Sequence, residues 1–99
     1  MLKLLGLINR SNKLLSGTDV VLDGIRNNKV HFIIVSGDAT DNTKKMITDK
    51  ANFYHVDYYI GFTSDELSHA AGKRGKKVFG ITDLGFAKKI KEWGDENGK

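Results

Sequence analysis

Leu2, Leu4, Leu5, Leu7 and Ile8 crowd the opening of the chain, and this spacing predicts a first helix, roughly Leu2 to Asn12, apolar over much of its circumference. Such a helix must lie against a sheet or another helix. The next segment sorts by angle, at about 100° per residue. Val21, Leu22 and Ile25 share one arc, whereas Asp19, Val20, Asp23, Arg26 and Asn27 fall on the opposite one. A second helix is therefore expected to start at Ser16 or Thr18, either side chain serving as its cap, and to end at Asn27-Asn28. Its outer surface is polar except for Val20, and a valine on a solvent face suggests contact with a partner.

Phe32-Ile33-Ile34-Val35 is an unbroken apolar run with polar flanks, the pattern of a strand covered on both faces, and it implies parallel neighbours. Ser36 to Thr40 then turns the chain into a third helix, with Asp38 and Thr40 as candidate caps. Met46, Ile47, Ala51 and Tyr54 make its inner stripe, and Lys44, Lys45 and Asp49 face out. A strand follows from Val56 to Ile60, in which Tyr58 and Tyr59 point to opposite faces. Thr63-Ser64-Asp65-Glu66 has the spacing of a capping box, so a fourth helix runs from there to about Ala71 and is stopped by Gly72 and Gly75. Val78-Phe79-Gly80-Ile81 is a further strand, and Thr82-Asp83 opens a last helix carrying Phe86, Ile90 and Trp93 on one stripe.

Strand and helix alternate, which by the layering and handedness rules gives an α/β fold: a three-layer α/β/α sandwich around a small, mostly parallel four-stranded sheet. One domain is expected over residues 1–94, with 95–99 as a loose tail.

Composition narrows the function. A chain of 99 residues, 39% hydrophobic and 28% charged, can bury one core and is not a disordered segment. Sixteen Lys and Arg against twelve Asp and Glu give a net charge of +4, which favours polyanionic partners. Cysteine is absent, which excludes a disulfide framework and a thiolate metal site and suits a reducing compartment. The apolar opening is interrupted by Lys3, is too short to span a membrane and lacks a small-residue cleavage site, so a cytoplasmic protein with no membrane partner is expected.

Candidate chemistry is sparse. Gly72-Lys73 lacks the rest of a phosphate loop and follows a helix instead of a strand. His31, His55 and His69 have no carboxylates at ligand spacing, so neither a metal nor a histidine-based dyad is expected. Ser16, Ser36, Ser64 and Thr82 all precede helices, where capping accounts for them, and no nucleophile elbow exists. The expectation is a protein without catalysis or cofactor.

Several short runs carry a resemblance: Ser16-Gly17-Thr18 before the second helix, Phe32 to Val35 followed by Asp38, Val56-Asp57-Tyr58, and Leu67-Ser68-His69-Ala70-Ala71-Gly72. Asp41-Asn42-Thr43, Thr48-Asp49-Lys50 and Asp83-Leu84-Gly85-Phe86-Ala87 add to it. In this order they make the chain similar, over nearly its whole length, to the L-seven-Ae family of ribosomal and kink-turn RNA-binding proteins, in its small bacterial YlxQ-like branch. The resemblance implies a non-catalytic binder of sharply bent RNA containing tandem sheared G·A pairs, free or on the ribosome, with kink-turn or ribosomal RNA as partner; a monomer is expected. Such a bend opens a groove that an ordinary RNA helix keeps too deep and narrow to read. The family pattern at the second helix is similar to G-x-N-E-x-x-K, and this chain keeps Gly17 but has Asp19, Val20 and Asp23 at the Asn, Glu and Lys positions. The resemblance places the interface on Gly17, Thr18, Asp19, Val20, Asp23 and Asn27, together with Lys73, Arg74, Gly75 and Lys76 of a cationic loop whose phosphate contacts would be largely blind to sequence. The alternative is a module that docks a basic protein of a ribosomal or RNA-processing complex through Asp19, Val20 and Asp23.

Overall fold

The apolar run Phe32–Val35 forms a fully buried strand, and its alternation divides the core in two. Phe32 and Ile34 join one cluster and Ile33 and Val35 the other. A computed structural model describes residues 1–96. The elements in order are α1 (Leu2–Arg10), β1 (Leu14–Ser16), α2 (Thr18–Arg26), β2 (Phe32–Val35), α3 (Asp41–Phe53), β3 (Asp57–Ile60), α4 (Ser64–Ala71), β4 (Val78–Ile81) and α5 (Leu84–Glu96).

The fold is the three-layer sandwich that the alternation predicts. On one face, Leu5 and Ile8 of α1, Leu67 and Ala71 of α4, and Ala87 and Ile90 of α5 pack on Phe32, Ile34, Phe79 and Ile81. On the other, Val21, Leu22 and Ile25 of α2 and Ile47 and Ala51 of α3 cover Ile33, Val35 and Val78. Gly24 lets α2 lie close to the sheet, since a Cβ there would stand 2.7 Å from Leu15 Cδ1 and 2.8 Å from Val30 Cγ2. Tyr59, Phe62 and Trp93 make an aromatic group at the rim, with Phe62 and Trp93 stacked at 5.7 Å.

The sheet corrects one expectation. Its order is β1-β4-β2-β3, and only β2 and β3 run parallel; β4 is antiparallel to both β1 and β2. The connection explains this. Ile60 at the end of β3 and Val78 at the start of β4 both sit level with Val35, so α4 and its loops leave and rejoin the sheet at the same end, and β4 has to run back. β1 is only three residues long, too short to show a period, and it occupies the place read as a helix cap.

Smaller corrections follow from packing. Met46, expected inside, is 39% exposed, because the burial direction of α3 is set by Ile47 and Ala51. The edge strand β3 is mostly exposed. Helix α5 continues through Gly94 to Glu96, in place of the expected start of a tail; residues 97–99 lie outside the described residues.

Candidate functional site

Three helices, α2, α3 and α4, start at the end of the sheet where β1, β2 and β3 finish and β4 begins. The first turn of any helix leaves its leading N–H groups without intrahelical partners. At α3, Thr40 Oγ1 accepts from the Thr43 amide at 3.1 Å. At α4 the capping box is complete: Thr63 Oγ1 accepts from Glu66 N at 3.0 Å, and Glu66 Oε1 accepts from Thr63 N at 2.9 Å. Asp38 closes α4 further, its carboxylate accepting from the Ser64 amide at 3.2 Å and the Ser64 hydroxyl at 3.0 Å.

Helix α2 is different. Its N-cap is Gly17, at φ 106° and ψ 147°, and no side chain caps it. That backbone conformation belongs almost solely to glycine, so the position cannot readily carry a capping side chain. The leading amides of α2 are open, and Asp19 in the first turn is exposed. Ser16, one of the two expected caps, lies in β1, and its buried hydroxyl has no hydrogen-bond partner.

The cationic loop reaches this opening. The Gly17 amide donates to the Val78 carbonyl at 2.8 Å, so the start of α2 is bonded to the start of β4. The stem of Lys76 lies over Gly17: a Cβ at residue 17 would meet Lys76 Nζ at 3.6 Å and Cδ at 3.7 Å. The loop is pinned by its backbone, because Ser68 Oγ donates to the Lys76 carbonyl at 3.0 Å and Ser36 N donates to the Lys77 carbonyl at 2.8 Å. Gly75 turns it, at φ 73°.

Gly17, Thr18, Asp19, Val20 and Lys76 therefore share one neighbourhood. Val20 is 50% exposed and Asp23 follows one turn later on the same outer face. Asn27 is elsewhere: it closes the far end of α2, about 13 Å from Thr18 at 1.5 Å per residue, and its amide donates to the Asp23 carbonyl at 2.9 Å. Lys73 and Arg74 belong to the α4 end of the loop, with Lys73 N donating to Ser68 O at 2.9 Å and Arg74 lining a hollow with Ser68 and His69.

The expected caps are redistributed as well. Thr40 caps α3, but Asp38 serves α4, 26 positions downstream. Its carboxyl is held below the usual carboxylate range, chiefly by the neighbouring Ser36 hydroxyl, then by the Ser64 amide and hydroxyl and by the charge of Lys77. The Ser36 hydroxyl itself is buried and makes no well-formed hydrogen bond. At α5 the cap is Asp83, whose carboxylate accepts from Phe86 N at 2.9 Å, while Thr82 Oγ1 donates to the Lys13 carbonyl. The ties from Ser68, Ser36 and Asp38 to distant backbone have no signal in the sequence, since no local spacing specifies a bond between remote loops.

Among the described residues no group of three His, Cys, Asp or Glu side chains is placed to hold a metal ion, and no helix is long and apolar enough to cross a membrane. What the arrangement offers is an array of free amide donors, a lysine beside them, and an apolar side chain on the rim. That set suits an oxygen-rich anion with an exposed apolar surface.

The profile of the ribosomal protein L7Ae/L30e/S12e/Gadd45 family matches residues 1–91. The chain is 43% identical over 91 residues to RNA-binding protein YlxQ of Enterococcus faecium, covering 92% of this chain and 87% of that one. It is 41% identical over 87 residues to RNA-binding protein YlxQ of Bacillus subtilis (strain 168), covering 88% and 87%. Among solved structures, a Bacillus halodurans C protein of unknown function superposes with a TM-score of 0.92 at 35% identity over 95% of each chain. A 15.5kD RNA binding protein of Giardia lamblia shares the fold, with a TM-score of 0.78 at 18% identity over 92% of this chain and 84% of that one.

Proposed function

This chain belongs to the ribosomal protein L7Ae/L30e/S12e/Gadd45 family, and on that footing we propose that it is a non-catalytic RNA-binding protein that grips a sharply bent, kink-turn-like RNA at the open start of α2. The observation that carries the reading is the nearness of the Lys76 side chain to Gly17, where an added Cβ would stand 3.6 Å from Lys76 Nζ, which sets free helix amides beside a cation. The amides of Thr18 to Val20 take phosphate or base acceptors, Lys76 holds the backbone, and Val20 packs on a base exposed by the bend. Asp19 accepts from a guanine edge, but it lacks the amide donor that asparagine would add. Each base-edge hydrogen bond that these departures from the family pattern remove costs about 1 to 3 kcal/mol, so the specific affinity is modest and the phosphate contribution large.

The test is a calorimetric titration with a kink-turn duplex beside the same duplex with its G·A pairs changed to Watson–Crick pairs. Tighter binding to the kinked duplex is expected, and equal, weak binding to both would overturn specificity for the bend. Asp23→Lys sharpens the result: removing a negative charge and adding a positive one tightens binding if the outer face of α2 touches RNA. Unchanged affinity moves the contact off that face.

A second reading rests on Val20, half exposed between Asp19 and Asp23. An apolar centre with an acidic rim also fits a basic protein surface in a ribosomal or RNA-processing complex. Capture of such a partner that survives nuclease treatment and is abolished by Val20→Glu favours this reading; release on nuclease treatment returns the function to RNA.

A further inference from the structure

We propose that the groove between α1 and α4 is a second phosphate-binding track, continuous with the start of α2, that holds the arm of the RNA flanking the bend. It rests on the RNA reading above and extends it to a face of the molecule that the family pattern does not address.

The track begins with helix packing. A Cβ on Gly6 would stand 3.0 Å from the Ala70 carbonyl, so α1 and α4 approach closely there and leave an open cleft of about 560 Å³ whose floor is Leu2, Gly6 and Ala70. Lys3 and Arg10 border it. They are seven positions apart, which places them on the same side of α1 about 10.5 Å apart. Arg10 extends along the groove: its guanidinium nitrogen would lie 3.6 Å from a Cβ on Gly6. Neither cation has a carboxylate partner among the described residues, whose ion pairs are Lys45 with Asp49 and Lys91 with Asp57.

Continuity comes from His69. It lines this cleft and also a second hollow, about 510 Å³, that it shares with Ser68 and Arg74. Ser68 is bonded through its hydroxyl to the Lys76 carbonyl, and Lys76 covers Gly17. From Lys3 to Gly17 the surface therefore presents Arg10, His69, Arg74 and Lys76 in succession. Two carboxylates face the same hollows, Asp65 and Glu66, and Glu66 is already spent on the Thr63 amide. The balance of unpaired charge is positive, and a shallow apolar floor edged by cations two helical turns apart fits a ribose-phosphate strand.

The test uses the full chain with two kink-turn RNAs, one with long arms and one trimmed close to the bend, titrated at two salt concentrations. Each phosphate contact contributes about 0.7 to 0.9 to the slope of log affinity against log salt, so removing two changes the affinity loss about tenfold over a fourfold change in salt. Lys3→Glu with Arg10→Glu is expected to weaken long-arm RNA, with a loss about tenfold larger at about 50 mM than at about 200 mM salt, and to leave the trimmed RNA unchanged. Asp65→Asn is expected to tighten the long-arm RNA alone. An equal effect on both RNAs, or no effect on either while Lys76→Ala still weakens both, would overturn the track and leave the α2 site standing. Failure of Lys76→Ala and Val20→Ala to weaken either RNA, with the track variants still active, would overturn the α2 reading instead. Circular dichroism melts of the variants separate a folding defect from a binding one, and Lys3→Gln with Arg10→Gln repeats the test without new negative charge.

Discussion

Helices α2 and α4 start at the same end of the sheet and are built in opposite ways. Every available device closes α4: a threonine cap, a glutamate reaching back, and a carboxylate from a distant loop. At α2 a glycine stands where a cap would be, in a conformation that other residues avoid, with a lysine laid across it. Closed ends serve stability, because orphan amides are satisfied internally. An open end leaves that satisfaction to a ligand; α1 likewise starts without a side-chain cap, but at α2 a lysine is laid beside the free donors.

Gly17→Ala should break the contrast most severely. Forcing a Cβ into that region of backbone space costs about 1 to 3 kcal/mol, so denaturant unfolding should shift by that amount with an unchanged slope, and RNA affinity should fall with it. Thr63→Ala comes next. It should cost about 0.5 to 2 kcal/mol of stability and leave RNA affinity where it was, because the α4 amides are not offered to a ligand. A loss of binding equal to that of Gly17→Ala would erase the distinction between the two ends.

Lys76→Ala should do the converse. As an exposed substitution it should move stability by no more than about 0.5 kcal/mol, while the salt slope of RNA binding falls by about 0.7 to 0.9. The smallest effect is expected from acid. The Asp38 carboxyl is lowered in the folded protein, so its contribution is present above the unfolded carboxyl value, about 4, and is lost as pH falls through the lower folded value. Because the group is exposed, Asp38→Asn should flatten the acid limb of the stability curve only slightly.

Much of the fold is legible in the chain because it rests on local patterns. The runs at Phe32–Val35 and Val78–Ile81 are bounded by polar residues, and the inward arc of α2 and the capping box of α4 follow from spacing alone. What spacing cannot carry is direction and distance. The antiparallel course of β4 depends on where α4 returns the chain, and the three residues of β1 are too few for a period. The same holds at the candidate site. The glycine and the lysines are visible as residue types, but that Lys76 rather than Arg74 lies on Gly17, and that Asn27 sits at the far end of α2, follows from the loop's ties to Ser68 and Ser36 and from the length of the helix.

An amide-resolved NMR titration with a kink-turn duplex trimmed close to the bend tests the central claim most directly. Saturable shifts at the amides of Thr18, Asp19 and Val20, with those of Asp41 to Thr43 and Ser64 to Glu66 unmoved, are the expected result. Shifts at the capped helices with none at the start of α2 would contradict it.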